Sequence, residues 1–150
     1  MSDEDVLTEV DDGIATVTIN RPDRRNALSN ALVEELTETF EELSEREDAH
    51  VIVLTGKGEK AFCAGGDLMD QGGGGGMLKM HYERGGFADL MLTMNRCASP
   101  IVARVNGHAL GGGLGLVLNS DIAGAAEGAD LGTPEVKVGI FPMLILSVIQ

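Results

Sequence analysis

Val105-Asn106-Gly107-His108-Ala109-Leu110-Gly111-Gly112-Gly113 decides how this chain folds. It continues a strand-like run, Ile101-Val102-Ala103-Arg104-Val105, that closes at a glycine and leads within a few residues into three more. Leu114 to Leu118 then follows, apolar on every side apart from Gly115, which predicts a fully buried helix whose first turn is the triple glycine. The same order occurs about 50 residues earlier. Val51-Ile52-Val53-Leu54 reads as a strand buried on both faces, ends at Thr55-Gly56, and leads into Gly65-Gly66. A strand, a glycine turn and a helix met twice predict a superhelix of similar units rather than an alternating open sheet.

Outward from these units the signals are local. Val6 to Val10 and Ile14 to Asn20 are strand-like, and Asp12-Gly13 between them suits a type I′ hairpin, whose turn residues need positive φ. Arg21-Pro22 breaks the sheet. Ser29 or Asn30 caps a helix running to about Glu47, with Leu32, Leu36, Phe40 and Leu43 as its apolar stripe. Glu34, Glu35, Glu38, Glu41, Glu42 and Glu45 decorate the rest as a solvated face. Five consecutive glycines, Gly72 to Gly76, cost too much backbone entropy for a regular element and predict a mobile loop. Residues 78–97 resume a helical pattern up to Ser99-Pro100, Asp121 to Ala126 reads as a strand, and Leu131 to Glu135 as a strand end or loop. Phe141 to Gln150 is apolar, carries no charge, and stops in the middle of a helical pattern.

At 150 residues and 15.7 kDa the chain makes one domain, residues 1–150, and 43% hydrophobic with 23% charged residues excludes general disorder. No apolar run reaches the roughly 20 residues of a membrane span, and the acidic start Met1-Ser2-Asp3-Glu4-Asp5 is unlike a signal peptide, so a cytoplasmic location with no membrane partner is expected. The net charge is −13, and fifteen acids against four bases place most of it in residues 1–50. Such a surface suits work in high salt and argues against nucleic acid as a partner, which needs a basic stripe. Cys63 and Cys97 are too few for a disulfide scaffold, and His50, His81 and His108 pair with no cysteine at ligand spacing, so no metal site is expected.

Chemistry concentrates in the glycine clusters. A helix N-terminus exposes unpaired backbone N–H groups, and glycine lets a ligand approach them, so Gly111-Gly112-Gly113 is a candidate oxyanion site with a second N–H from Gly65-Gly66. Close packing of a helix on a strand needs the same small residues, and both readings stand at this point. Gly56-Lys57-Gly58-Glu59-Lys60-Ala61 fits a dinucleotide-binding pattern, but no helix opens there. Cys63 reads as a buried small hydrophobe, His108 as a packing or hydrogen-bonding residue, and Asp121 as a backbone anchor. Glu135, after Pro134 in an apolar stretch, reads either as a carboxylate with a raised pKa or as a surface acid.

Four stretches together resemble the crotonase, or enoyl-CoA hydratase/isomerase, superfamily. They are Asn20-Arg21-Pro22 with Asn26-Ala27-Leu28; Ala61 to Leu68; Val105 to Gly113 with Asp121-Ile122; and Thr133-Pro134-Glu135-Val136-Lys137-Val138-Gly139. The resemblance implies an α/β fold of the ClpP/crotonase type, a right-handed spiral of ββα units, here lacking the C-terminal helical part. It implies an enzyme acting on acyl-CoA thioesters, with no cofactor beyond the coenzyme A of the substrate. By motif position the thioester oxygen is held by the N–H groups of Gly66 and Gly112, and Glu135 handles the proton. Coenzyme A runs along Ala64, Gly66, Asp67, Leu68 and Met69 and along Arg24, Ala27 and Leu28, with Arg24 and Arg25 as phosphate contacts. Hydratases of the family use a second glutamate where this chain has Gly115, whereas moving a proton between two carbons, as the isomerases do, needs one. Relatives continue into helices that complete the acyl pocket and build trimers or dimers of trimers, so a homo-oligomer or a partner chain supplying that part is expected. A non-catalytic acyl-CoA binder or inactive truncated remnant, and other chemistry of the superfamily such as thioester hydrolysis or dehalogenation, are the alternatives.

Overall fold

Asp12 and Gly13 take φ of 46° and 82°, the left-handed backbone that a tight hairpin requires, and strand β1 (Val6–Asp11) folds back antiparallel on β2 (Ile14–Ile19) as expected. The computed structural model describes residues 4–67, 77–134, 137 and 143–146. The glycine run and its predicted mobile loop lie outside them, as does most of the C-terminal apolar stretch, of which α4 (Met143–Leu146) is described.

After the hairpin every pairing in the main sheet is parallel: β2 with β3 (Val51–Gly56), β3 with β5 (Ile101–Val105), and β5 with β7 (Ile122–Ala125). Parallel neighbours cannot be joined by a tight turn, so the chain must cross over each time. Helix α1 (Asn30–Glu45) makes the first crossing. The next two each lay a short strand in a second sheet before the helix: β4 (Ala61–Cys63) precedes α2 (Met77–Arg96), and β6 (His108–Leu110) precedes α3 (Gly112–Leu118). With β8 (Leu131–Gly132) the second sheet runs β4-β6-β8, all parallel. The result is the spiral of ββα turns. Strands of two or three residues carry no readable period, which is why β4 and β6 escape a reading from hydrophobic pattern alone, while β8 falls in the stretch read as a strand end or loop.

Ser29 caps α1, its Oγ accepting the Leu32 N–H at 3.2 Å, and Leu32, Leu36, Phe40 and Leu43 are buried to 1% exposure or less. The helix ends at Glu45, two residues short of the expected Glu47, where Arg46 leaves helical geometry and its guanidinium grips Asp48 at 2.8 and 2.7 Å. Two burial expectations need correction. In β3 only Ile52, Leu54, Thr55 and Gly56 are buried, while Val51 and Val53 are half-buried, and in β5 Arg104 is exposed. The helices cover one face of this sheet more completely than the other. Helix α3 is likewise not buried all round, since Leu118 at its end is 40% exposed.

Of the six glutamates on α1, Glu35 alone is not fully exposed. Burial pushes its carboxyl above the ordinary value, the Val6 backbone hydrogen bond opposes this, and the charges of Asp5, Glu4 and Glu38 add to the rise. The folded state therefore holds this proton more tightly than the unfolded chain. The ionised group destabilises the fold above its folded-state pKa, and the penalty vanishes as pH falls through the ordinary carboxylate range. Glu35→Gln keeps an acceptor for the Val6 N–H and removes the charge. Thermal melts are expected to show Tm raised by about 1–2 °C at pH 7 and unchanged below about pH 4.

Candidate functional site

The turn after β4 is laced to the segment before α1. Ala64 N–H donates to the Arg25 carbonyl at 3.1 Å, Leu28 N–H to the Gly65 carbonyl at 2.8 Å, and Asp67 N–H to the Leu28 carbonyl at 2.8 Å, forming a parallel bridge between Leu28 and Gly66. A peptide unit is planar and trans, so the Gly65 carbonyl and the Gly66 N–H point in opposite directions. The bond from Leu28 therefore turns the Gly66 N–H away from Leu28. At the start of α3 the Gly111 carbonyl accepts the Gly115 N–H at 3.1 Å and so points along the helix. By the same planarity the Gly112 N–H points back out of its first turn. Neither N–H has an acceptor among the described residues.

The two turns touch. Gly65 has φ +93°, and a Cβ there would lie 2.9 Å from the Leu110 carbonyl oxygen and 3.5 Å from the Gly112 nitrogen. The triple glycine divides its work by position. Gly111 has φ 53° and ψ −120°, a backbone closed to side chains. Gly113 is a packing residue: a Cβ there would overlap the Cys63 carbonyl oxygen, so α3 rests directly on β4. Around Gly112 and Gly115 the wall is apolar. A Cβ at Gly112 would lie 3.0 Å from Leu28 Cδ1 and 3.6 Å from Phe87 Cζ, and one at Gly115 would lie 3.1 Å from Phe87 Cζ and 3.6 Å from Ile145 Cγ1.

Beside the turns, a cleft of about 340 Å³ is lined by Arg25, Lys60, Ala64, His108 and Leu110 among others, and a second of about 300 Å³ by Pro22, Arg25, Lys57 and Lys60 among others. Arg25, Glu59, Lys60 and Ala61 line both. Of the sequence candidates, Arg24 lies exposed on the short 3-10 turn Pro22–Arg24 and lines neither cleft, while Ala27 and Leu28 are buried beside the bridge. Asp67 is 7% exposed, and its carboxylate meets Arg21 at 3.2 Å. Glu135, Leu68 and Met69 lie outside the described residues. Cys63 is fully buried, and desolvation pushes its thiol up to about 12, against the lowering by the Gly65 backbone hydrogen bond, so it is no nucleophile at neutral pH. His108 accepts the Asp130 N–H on Nδ1 at 3.0 Å, and Asp121 Oδ2 accepts the Ile101 N–H at 2.7 Å, the hydrogen-bonding and anchoring roles expected of them. Sequence reading missed Phe87, Lys60 and the partner of Arg21, since contacts across tens of residues carry no local period.

Residues 9–149 match the family model described as enoyl-CoA hydratase/isomerase. The chain belongs to the enoyl-CoA hydratase/isomerase family. Among solved structures it is similar to AtuE of Pseudomonas aeruginosa, with 36% identity and a TM-score of 0.93 over 97% of this chain and 57% of that one. It is similar to an enoyl-CoA hydratase of Mycobacterium smegmatis, 36% identical with a TM-score of 0.91, covering 97% of this chain and 58% of the other. A third, the enoyl-CoA hydratase of Bacillus anthracis, is 34% identical with a TM-score of 0.88, over 93% and 54%. The chain thus spans a little over half the length of these relatives.

The packing role of Gly113 is open to test. Gly113→Ala sets a methyl against backbone that cannot swing aside, so urea unfolding is expected to show a loss of about 3 kcal/mol. Gly124→Ala, where no atom lies within 4 Å of the new Cβ, is expected to leave stability unchanged.

Proposed function

We propose that this family member acts on acyl-CoA thioesters, with the Gly66 and Gly112 N–H groups receiving the thioester oxygen and Glu135 moving the proton. The observation that carries the reading is the orientation of those two N–H groups in turns that touch. When a base removes the proton from the carbon beside the thioester carbonyl, negative charge builds on the oxygen. Backbone donors fixed beforehand stabilise that charge without reorganising, and each is worth about 3 kcal/mol in such sites. Glu135 takes the proton and returns it to a different carbon, so the double bond migrates and the carboxylate is regenerated. Gly132, three residues before Glu135 in the sequence, bonds through its carbonyl to the Gly111 N–H at 2.9 Å.

The surroundings favour proton transfer over addition of water. No carboxylate stands at position 115, and among the described residues Phe87 and Ile145 occupy the space beside it, an apolar wall that offers a water molecule no partner. Arg25 and Lys60, common to both clefts, are the cations that suit the phosphates of coenzyme A on a chain of net charge −13. The reaction calls on no cofactor beyond the coenzyme A of the substrate. A homo-oligomer and a cytoplasmic setting fit this reading.

Glu135→Gln is expected to lower turnover of an enoyl-CoA about 1000-fold while thermal-shift titration still shows stabilisation by acyl-CoA. Unchanged turnover dismisses Glu135 as the base. Stabilisation of the parent chain by acyl-CoA, with no change in the conjugated enoyl-thioester absorbance and no new product, leaves a binding protein instead. The bare glycine at 115 favours that second reading. Release of free coenzyme A identifies thioester hydrolysis.

A further inference from the structure

We infer that Arg21 is a positioning residue for the Gly66 donor, a role that rests on the acyl-CoA reading above. Its guanidinium joins three segments: Nε lies 3.2 Å from Asp5 Oδ2, one terminal nitrogen donates to the Ala27 carbonyl at 2.5 Å, and the other meets Asp67 Oδ2 at 3.2 Å. Ala27 and Asp67 flank the two residues of the isolated bridge, Leu28 and Gly66. Arg21 therefore holds both strands of that bridge from the side. The bridge bond from Leu28 to the Gly65 carbonyl orients the peptide that carries the Gly66 N–H. The arginine fixes the donor without approaching the substrate.

Burial and local geometry make the clamp rigid. The side chains of Arg21 and Asp67 are 16% and 9% exposed, so solvent screens the pair weakly. The Arg21 backbone is tied as well, its N–H donating to Asn26 Oδ1 at 3.0 Å and its carbonyl accepting the N–H groups of Arg24 at 3.0 Å and Asn26 at 2.8 Å. A planar guanidinium can serve a carbonyl and a carboxylate at once, whereas a lysine ammonium presents a single point of charge. The bridge is a single residue pair flanked by one further bond, from Ala64 N–H to the Arg25 carbonyl, so few ladder bonds share the load that the side clamp takes.

The test compares Arg21→Met, Arg21→Lys and Asp67→Asn with Leu43→Ala, a core variant in α1 remote from the turn. Turnover of an enoyl-CoA gives kcat and KM, and the ¹H–¹⁵N heteronuclear NOE of Gly66, on protein labelled with ¹⁵N-glycine, reports how firmly its N–H is held. Arg21→Met is expected to lower kcat about 100-fold, the scale of a donor misplaced by about an ångström, with KM within about threefold. Its Gly66 NOE falls, and Arg21→Lys recovers little. Leu43→Ala loses stability but keeps kcat and the Gly66 NOE. Should Arg21→Met fail to fold, Asp67→Asn, which removes the charge and keeps the shape, carries the same expectations in weaker form. Unchanged kcat and Gly66 NOE in the folded variants overturn the clamp, as does an equal fall in kcat for Leu43→Ala. If the parent chain turns over no acyl-CoA but Arg21→Met still lowers the Gly66 NOE, the clamp stands and the acyl-CoA reading falls.

Discussion

A peptide C=O and the N–H that follows it cannot be aimed independently, and the candidate site depends on that constraint. Once Leu28 donates to the Gly65 carbonyl, the Gly66 N–H has one direction available, away from the α1 entry and free of acceptors among the described residues. The Gly111 carbonyl, held by the Gly115 N–H, sets the Gly112 N–H in the same way. Hydrogen bonds that belong to secondary structure thus leave two N–H groups over, and the left-handed backbone of Gly65 and Gly111 lets the turns carrying them come into contact.

The spiral has to deliver these turns to the same place, and two asparagines help to fix its corners. Asn26 is fully buried with φ 56°, and its side-chain amide donates to the Lys57 carbonyl at 3.1 Å and the Ala61 carbonyl at 2.8 Å. Asn106 accepts the Gly56 N–H at 3.0 Å and donates to the Gly58 carbonyl at 2.6 Å. Both grip the β3–β4 corner, one from the α1 entry and one from the β5–β6 corner. Left-handed backbone at a non-glycine residue costs of order 1–3 kcal/mol, which the amide bonds of Asn26 offset. Six acids line the outer face of α1, while at the clefts Arg25 and Lys60 stand beside Glu59, so positive and negative charge nearly balance there.

Much of the architecture was legible from residue order. Asp12-Gly13 specifies a hairpin because few other pairs tolerate its backbone, Ser29 caps because its oxygen reaches an unpaired N–H, and the α1 stripe repeats at the helical period. Burial of β3 and β5 was overestimated, because a continuous apolar run does not reveal how completely each face will be covered. At the site, Gly66 and Gly112 came from recognised motifs joined to an argument about helix ends. That Gly113 packs on Cys63, that Phe87 fills the space beside Gly115, and that Arg25 rather than Arg24 lines the clefts had no local signature.

By itself, then, the order of residues determined which segments become strands, turns and helices, and that glycine must stand where backbone meets backbone. Those outcomes follow from steric preference and short-range hydrogen bonding, which act over a few residues. Only the tertiary structure decided which way the spare N–H groups face and that Arg21 reaches Asp67 across 46 positions. Such relations arise from the superposition of successive spiral turns. Contacts between turns depend on the spacing of whole units in space, a quantity that no window of sequence contains.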